Sequence, residues 1–185
     1  MRITGGSLRG RLLVDWREGG IRPVRDLVRG ALFNMIADFV PGADCLDLFA
    51  GTGSLGLEAL SRGAARSAFV DREQGACRIV RRNLDALGLL EFAEVLETAC
   101  LDAVAHFARR GRRFDLVFLD PPYGQGLVPP TLAALADGEI LTDDPVVAVV
   151  TKVDEGGDCE VGVLQRVHER RHGDGRIDLY RRMET

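Results

Sequence analysis

Asp47-Leu48-Phe49-Ala50-Gly51-Thr52-Gly53-Ser54-Leu55-Gly56 carries the densest structural signal in the chain. It follows a short apolar run, precedes a segment of helical periodicity, and spaces Gly51, Gly53 and Gly56 as GxGxxG. Glycine is needed where a chain turns sharply from strand to helix and its backbone approaches a ligand, and the helix beginning there offers free N–H groups to an anion. Outward from this turn, short β-branched or apolar runs alternate with helical patterns, the mark of βαβ units and a parallel sheet. The pattern predicts strands at 45–49, 67–71, 93–97, 114–119 and 146–151, and helices at 54–62, 74–87, 101–110 and 130–137. Beyond Pro145 the helices stop, and segments 161–168 and 176–182 flank Gly173-Asp174-Gly175 as a closing antiparallel hairpin. The expected class is α/β, with a mostly parallel seven-stranded sheet.

The first 40 residues differ from this body. Segments 2–4 and 11–14, joined by Gly5-Gly6-Ser7-Leu8-Arg9-Gly10, read as a small basic β-hairpin. Pro23 suits a first helical turn, and Val24, Leu27, Val28, Ala31, Leu32, Met35, Ile36 and Phe39 recur at three and four residues. We therefore expect an N-terminal basic arm at 1–22 and a main domain at 23–185, with helix 23–40 docked on the sheet.

A chain of 185 residues that is 46% hydrophobic supports one core-bearing domain. No apolar run approaches membrane-spanning length, and Met1-Arg2-Ile3-Thr4-Gly5 lacks the apolar core of a secretory signal, so the expected location is the cytoplasm. Cys45, Cys77, Cys100 and Cys159 form no CxxC pair and have no His at ligand spacing, which suggests reduced thiols in or near the core and no metal site. The net charge of −4 would disfavour a nucleic-acid partner, but it is unevenly spread: residues 1–30 carry +4 and the remainder −8. All basic residues but Lys152 are Arg, which suits bidentate phosphate recognition; GC-rich coding biases composition the same way, so the excess alone decides nothing.

Two places carry chemistry. Asp71 closes the second predicted strand 20 residues after Gly51, where an acid can accept both hydroxyls of a ribose. The glycine turn alone fits a dinucleotide as well as a methyl donor. Asp47 separates them: a carboxylate four residues before Gly51 repels a pyrophosphate but suits a ligand bearing an ammonium and a sulfonium, as S-adenosylmethionine does. Phe49 and Asp120 complete the expected cofactor contacts. Asp120-Pro121-Pro122-Tyr123 follows the fourth strand at its C-terminal edge, the side on which open α/β sheets bind ligands. Two prolines stiffen that loop. The Asp120 carboxylate and the Pro121 carbonyl can each accept one N–H of a planar amine, aiming its lone pair at a methyl group, while Tyr123 stacks on a flipped base.

These residues resemble nucleic-acid amino-methyltransferases, whose hallmark is [D/N]-P-P-[Y/F]. Arg2-Ile3-Thr4-Gly5-Gly6, Arg9-Gly10-Arg11, Arg22-Pro23, Asp26, Val28-Arg29 and Leu32-Phe33-Asn34 resemble one branch, the RsmD family of small-subunit ribosomal RNA guanine-N2 methyltransferases. So do Leu46 to Gly53, Leu55 to Ala64, Gly173-Asp174 and Leu179-Tyr180, and the likeness covers nearly the whole chain. The resemblance implies a Rossmann-like class I methyltransferase domain. Its implied activity is methyl transfer from S-adenosylmethionine to N2 of a guanine in 16S rRNA, within the small subunit or an assembly intermediate, by a monomer that uses no metal. It also implies RNA contacts from Arg2, Arg9, Arg11, Arg22, Arg25 and Arg29. Two positions depart from the family: relatives usually carry Asp or Asn after the third strand to hold the adenine amino group, where this chain has Ala99, and many have an acid after the fifth, where it has Thr151-Lys152. The tetrapeptide alone would also serve DNA adenine N6 or a glutamine amide, and a cofactor-binding protein without catalysis is the reading from another class.

Overall fold

The structure, a computed structural model, describes residues 1–14 and 26–183. Strands β1 (Asp44–Asp47), β2 (Arg66–Asp71), β3 (Ala93–Glu97), β4 (Phe114–Leu119) and β5 (Leu141–Lys152) pair in parallel. Strands β6 (Glu160–Val161), β7 (Leu164–His172) and β8 (Gly175–Arg182) complete the sheet in antiparallel fashion. The order is β3-β2-β1-β4-β5-β8-β7-β6, so the described sheet has eight strands rather than seven; the addition is the two-residue β6, too short to give a sequence signal. The architecture is Rossmann-like.

Helices α1 (Asp26–Met35), α2 (Ser54–Ser61) and α3 (Gln74–Leu87) cover one face, and α4 (Cys100–Arg109) and α5 (Val128–Asp137) the other. A parallel strand buried on both faces reads as a continuous apolar run, and its alternate residues enter separate cores. In β5, Val147 and Val149 join the α4/α5 core while Val146, Ala148 and Val150 join the α1/α2 core. β5 begins earlier than its apolar run: Leu141 pairs with Phe114, and a register shift before Leu116 absorbs Asp143-Asp144-Pro145, which reads locally as a turn. No helix among the described residues is long and apolar enough to cross a membrane. Cys45 and Cys77 are buried, but Cys159 is exposed rather than near the core.

The buried face of α1 differs from the expected stripe. Val28, Arg29, Leu32 and Phe33 are its buried residues, whereas Leu27 is 76% exposed. Arg29 thus faces inward. Its Nε pairs with Glu58 of α2 at 3.2 Å, and its Nη2 with Asp26 at 2.8 Å and with the Arg2 carbonyl. Glu58, itself buried, also accepts from the Thr4 N–H at 2.8 Å, the Thr4 hydroxyl at 2.7 Å and Arg62 at 2.8 Å. One carboxylate therefore joins α1, α2 and the N-terminal segment.

That segment is a hairpin, with an antiparallel bridge between Arg2 and Leu12. It lies along α2 and α3 rather than standing off the body: Ile3 and Leu13 are buried with Leu57, Leu60, Val80 and Leu84. The turn is pinned to the last residue of α2, where the Ser7 N–H donates to the Ser61 carbonyl at 2.7 Å and the Ser61 hydroxyl to the Gly5 carbonyl at 2.7 Å. At the other end, Asn83 of α3 bonds both the N–H (2.7 Å) and the carbonyl (3.2 Å) of Val14, and also the Thr52 carbonyl (3.0 Å).

Candidate active site

The strand order reverses between β1 and β4, and the crevice beyond the carboxyl ends of strands at such a switch point is where doubly wound sheets bind ligands. A cleft of about 630 Å³ opens there, within the usual size range of small-molecule sites. Its lining runs from Phe49, Gly51 and Asp71 on one side to Asp120 and Tyr123 on the other. Sites on separate strands meet because every parallel strand ends on the same edge.

The turn after β1 has the conformation that its glycines permit. Gly53 caps α2 with φ of 81°, in the left-handed region that favours glycine. Gly56 acts through space: a Cβ there would stand 2.3 Å from a ring carbon of Phe69, so its lack of a side chain lets α2 lie against β2. Asp71 holds the turn in place, its Oδ2 accepting from the Gly51 N–H at 2.8 Å and its Oδ1 from the Glu73 N–H at 2.9 Å. Each of these oxygens retains capacity to accept a further hydrogen bond, such as one from a ribose hydroxyl, and Asp71 lines the cleft.

Asp47 stands behind the cleft wall, not on it. It is 1% exposed; one oxygen accepts from the Gly56 N–H at 3.1 Å, and Oδ1 is buried without a hydrogen-bond partner among the described residues. Burial pushes its carboxyl up to about 7, opposed by the Gly56 N–H, with the charge of Asp71 adding to the rise and the Phe49 N–H opposing it. Asp120 is pushed up to about 8, first by burial of its surroundings and then by the charge of Asp47. Both raised acids favour a cation in the cleft, since positive charge would restore their ionised forms. Asp47, expected from sequence among the cofactor-binding residues, is not one of the residues that line the cleft. The acid at Asp71, the glycine turn and the Asp120 carboxyl on one cleft together fit S-adenosylmethionine. Ala99, at the N-cap of α4, also lines the cleft and offers no side-chain acceptor to an adenine.

Asp120-Pro121-Pro122-Tyr123 forms the acceptor side. Pro121 is buried, while Pro122 and Tyr123 are exposed. Sequence reasoning missed what supports this loop. The Gly124 N–H donates to Glu155 at 2.9 Å, and the Lys152 ammonium lies 5.4 Å over the Tyr123 ring, so the segment after β5 braces the loop after β4. The one available signal was that Lys152 is the sole lysine.

The expected RNA contacts scatter. Arg22 and Arg25 lie outside the described residues. Arg29 is a correction: it is fully buried, because Glu58 supplies an inward countercharge that no local pattern reveals. Arg2, Arg9 and Arg11 are exposed, but the hairpin turn bearing Arg9 is fixed at Ser61, about 10 Å along α2 from the cleft. Arg11 donates to the Ala86 carbonyl near the end of α3 at 2.9 Å. The structure does not bring these two side chains to the cleft. No group of three or more His, Cys, Asp or Glu among the described residues is placed to hold a metal.

Residues 1–181 match the family described as Conserved hypothetical protein 95. Ribosomal RNA small subunit methyltransferase D of Escherichia coli strain K12 is 38% identical over 156 residues, covering 84% of this chain and 77% of its own. The protein of the same name from Haemophilus influenzae is 35% identical over 156 residues, covering 84% and 80%. The solved structure of yhhF from Escherichia coli has a TM-score of 0.87 at 33% identity, over 100% of this chain and 99% of that one. TrmN from Thermus thermophilus, at 22% identity and a TM-score of 0.65 over 85% of this chain and 48% of that one, shares the fold. The glycine turn, the acid at Asp71 and the tetrapeptide at Asp120 thus stand in a chain matched over nearly its whole length, and the chain belongs to the Conserved hypothetical protein 95 family, the RsmD methyltransferases.

Proposed function

We propose that this protein methylates N2 of a guanine in 16S ribosomal RNA, using S-adenosylmethionine and acting on the small subunit or an assembly intermediate. The observation that carries the reading is that Asp120-Pro121-Pro122-Tyr123 and the Gly51–Asp71 turn line one cleft. The relatives named ribosomal RNA small subunit methyltransferase D support the RNA as acceptor.

Bound in the cleft, S-adenosylmethionine would supply an electrophilic methyl group on a positively charged sulfur. Asp71 would hold its ribose, the Gly51–Gly53 backbone would offer N–H groups to its carboxylate, and Asp47 and Asp120 would favour its positive charge. The exocyclic amine of guanine is a poor nucleophile because its lone pair is delocalised into the ring. Accepting its two N–H groups at the Asp120 carboxylate and the Pro121 carbonyl favours a pyramidal nitrogen, withdraws the lone pair from conjugation and stabilises the positive charge that develops on nitrogen. The Asp120 carboxylate, which accepts one N–H of the amine, is also placed to receive the proton that the nitrogen must lose. Tyr123 supplies a stacking face for a base taken out of its helix, worth about 1–3 kcal/mol.

Replacing Asp120 tests this division of labour. Asp120→Ala should lower turnover by about 100-fold or more, the scale of losing one preorganised electrostatic contact, while cofactor affinity falls far less, by the loss of one charge beside the donor. Isothermal titration beside single-turnover methylation measures both. Loss of cofactor binding in proportion to turnover would show that Asp120 serves the donor and not the amine.

A further inference from the structure

The tip of the β7–β8 hairpin stands on the cofactor edge of the sheet. Because β5 runs parallel to β4, it leaves the sheet on the same edge as Asp120, and its last residue, Lys152, pairs with Gly175 at the start of β8. The Val153 N–H donates to the Asp174 carbonyl at 3.2 Å, which ties the hairpin turn to the segment that braces Tyr123 and Gly124. Below the closing His172–Gly175 pair, the next two rungs place Arg171 opposite Arg176 and Arg170 opposite Ile177. Adjacent strand residues point to opposite faces, so the tip presents one cation to each: Arg170 on the α1 side, Arg171 on the α5 side.

These two differ from the other arginines of the hairpin. Arg176 is held inside by Asp178 at 2.8 Å and Glu169 at 3.1 Å, Arg166 reaches the same two acids, and Arg181 is paired with Asp144. Arg182 is half-buried at the opposite end of β8, away from the tip. Arg170 is exposed, with no ion pair or hydrogen bond among the described residues. Arg171, its side chain 64% exposed, has one pair, with Glu169 at 3.3 Å, of a kind worth little in water. Two strand spacings, about 10 Å, separate β7 from Lys152 over the Tyr123 ring.

We propose that this hairpin tip is a phosphate-binding surface for the acceptor RNA, with Arg170 and Arg171 contacting backbone next to the nucleotide whose base stacks on Tyr123. The proposal rests on the reading of the protein as an rRNA methyltransferase. It places the electrostatic grip beside the cleft, whereas the N-terminal turn bearing Arg9 is fixed at the far end of α2. Guanidinium groups suit this role because their planar fork matches phosphate oxygens.

The test compares full-length wild-type protein with Arg170→Ala/Arg171→Ala and with Arg9→Ala/Arg11→Ala for binding to a full-length bacterial 16S rRNA transcript across a salt series. The hairpin double variant should bind about tenfold more weakly at moderate salt, with a log–log salt slope shallower by about 1–2, while its affinity for S-adenosylmethionine is unchanged. Arg170→Lys/Arg171→Lys should recover most of the slope. Wild-type affinity and slope in the hairpin variant would overturn the proposal, as would a loss confined to the Arg9/Arg11 variant. Failure of the wild-type protein to methylate any rRNA would instead remove the functional reading, and the proposal with it.

Discussion

Asp47 and Asp120 are kept in the cleft region at a cost to the ligand-free fold. Their carboxyls stand at about 7 and about 8, far above the ordinary value of about 3.9, so ionising them is harder in the folded protein than in the unfolded chain. A raised folded pKa means that the stability contribution is fully present below pH 4 and is lost as pH rises through 7 to 8. A cationic ligand reverses the preference. Its binding should release protons near pH 7 and tighten as pH rises from 6 to 8. Asp47→Asn keeps an oxygen for the Gly56 N–H and removes the charge. It should raise the melting temperature of the ligand-free protein at pH 8 by a few degrees, at about 2–4 °C per kcal/mol, while weakening cofactor binding and flattening its pH dependence. Melting curves and calorimetric titrations at pH 6 and 8 measure both effects; a variant with wild-type pH dependence of binding would mean that Asp47 does not act on the ligand's charge.

Among the elements, α1, α2 and the N-terminal hairpin form one unit through Glu58, and their coupling was the part least legible in the sequence. The three-and-four spacing of α1 was visible, but it pointed to Leu27 and Phe39, both exposed, and left out Phe33, which is fully buried. Arg29 looked like surface charge because its countercharge, Glu58, lies 29 positions away on another helix. Breaking a buried pair by removing one partner leaves an uncompensated charge and costs about 3–5 kcal/mol. Arg29→Ala should therefore lower the melting temperature by about 10 °C, whereas Arg9→Ala, at an exposed turn, should leave it unchanged. The folded fraction of the Arg29 variant should keep wild-type RNA affinity at low temperature. Unchanged melting with weakened RNA binding would restore Arg29 to the RNA-contacting surface.

At the scale of the molecule, the cofactor edge was legible because parallel strands place their carboxyl ends together. Once the alternation of strand and helix was read, the turn at Gly51, the acid at Asp71 and the loop at Asp120 had to share that edge, and β3 and β4 fall on the predicted residues. The far side of the sheet was harder. β7 runs to His172, beyond its predicted end, because its charged residues are exposed on both faces and carry no hydrophobic period. The positive charge counted in residues 1–30 suggested an RNA-gripping arm, but packing, not composition, decides which end of α2 its turn occupies. The proposed acceptor, N2 of a guanine, is tested most directly by identifying the methylated atom. Small-subunit particles or 16S rRNA incubated with this protein and methyl-labelled S-adenosylmethionine, then digested to nucleosides, should yield label that coelutes with N2-methylguanosine; label in a methylated adenosine, in DNA or in a protein amide would contradict it.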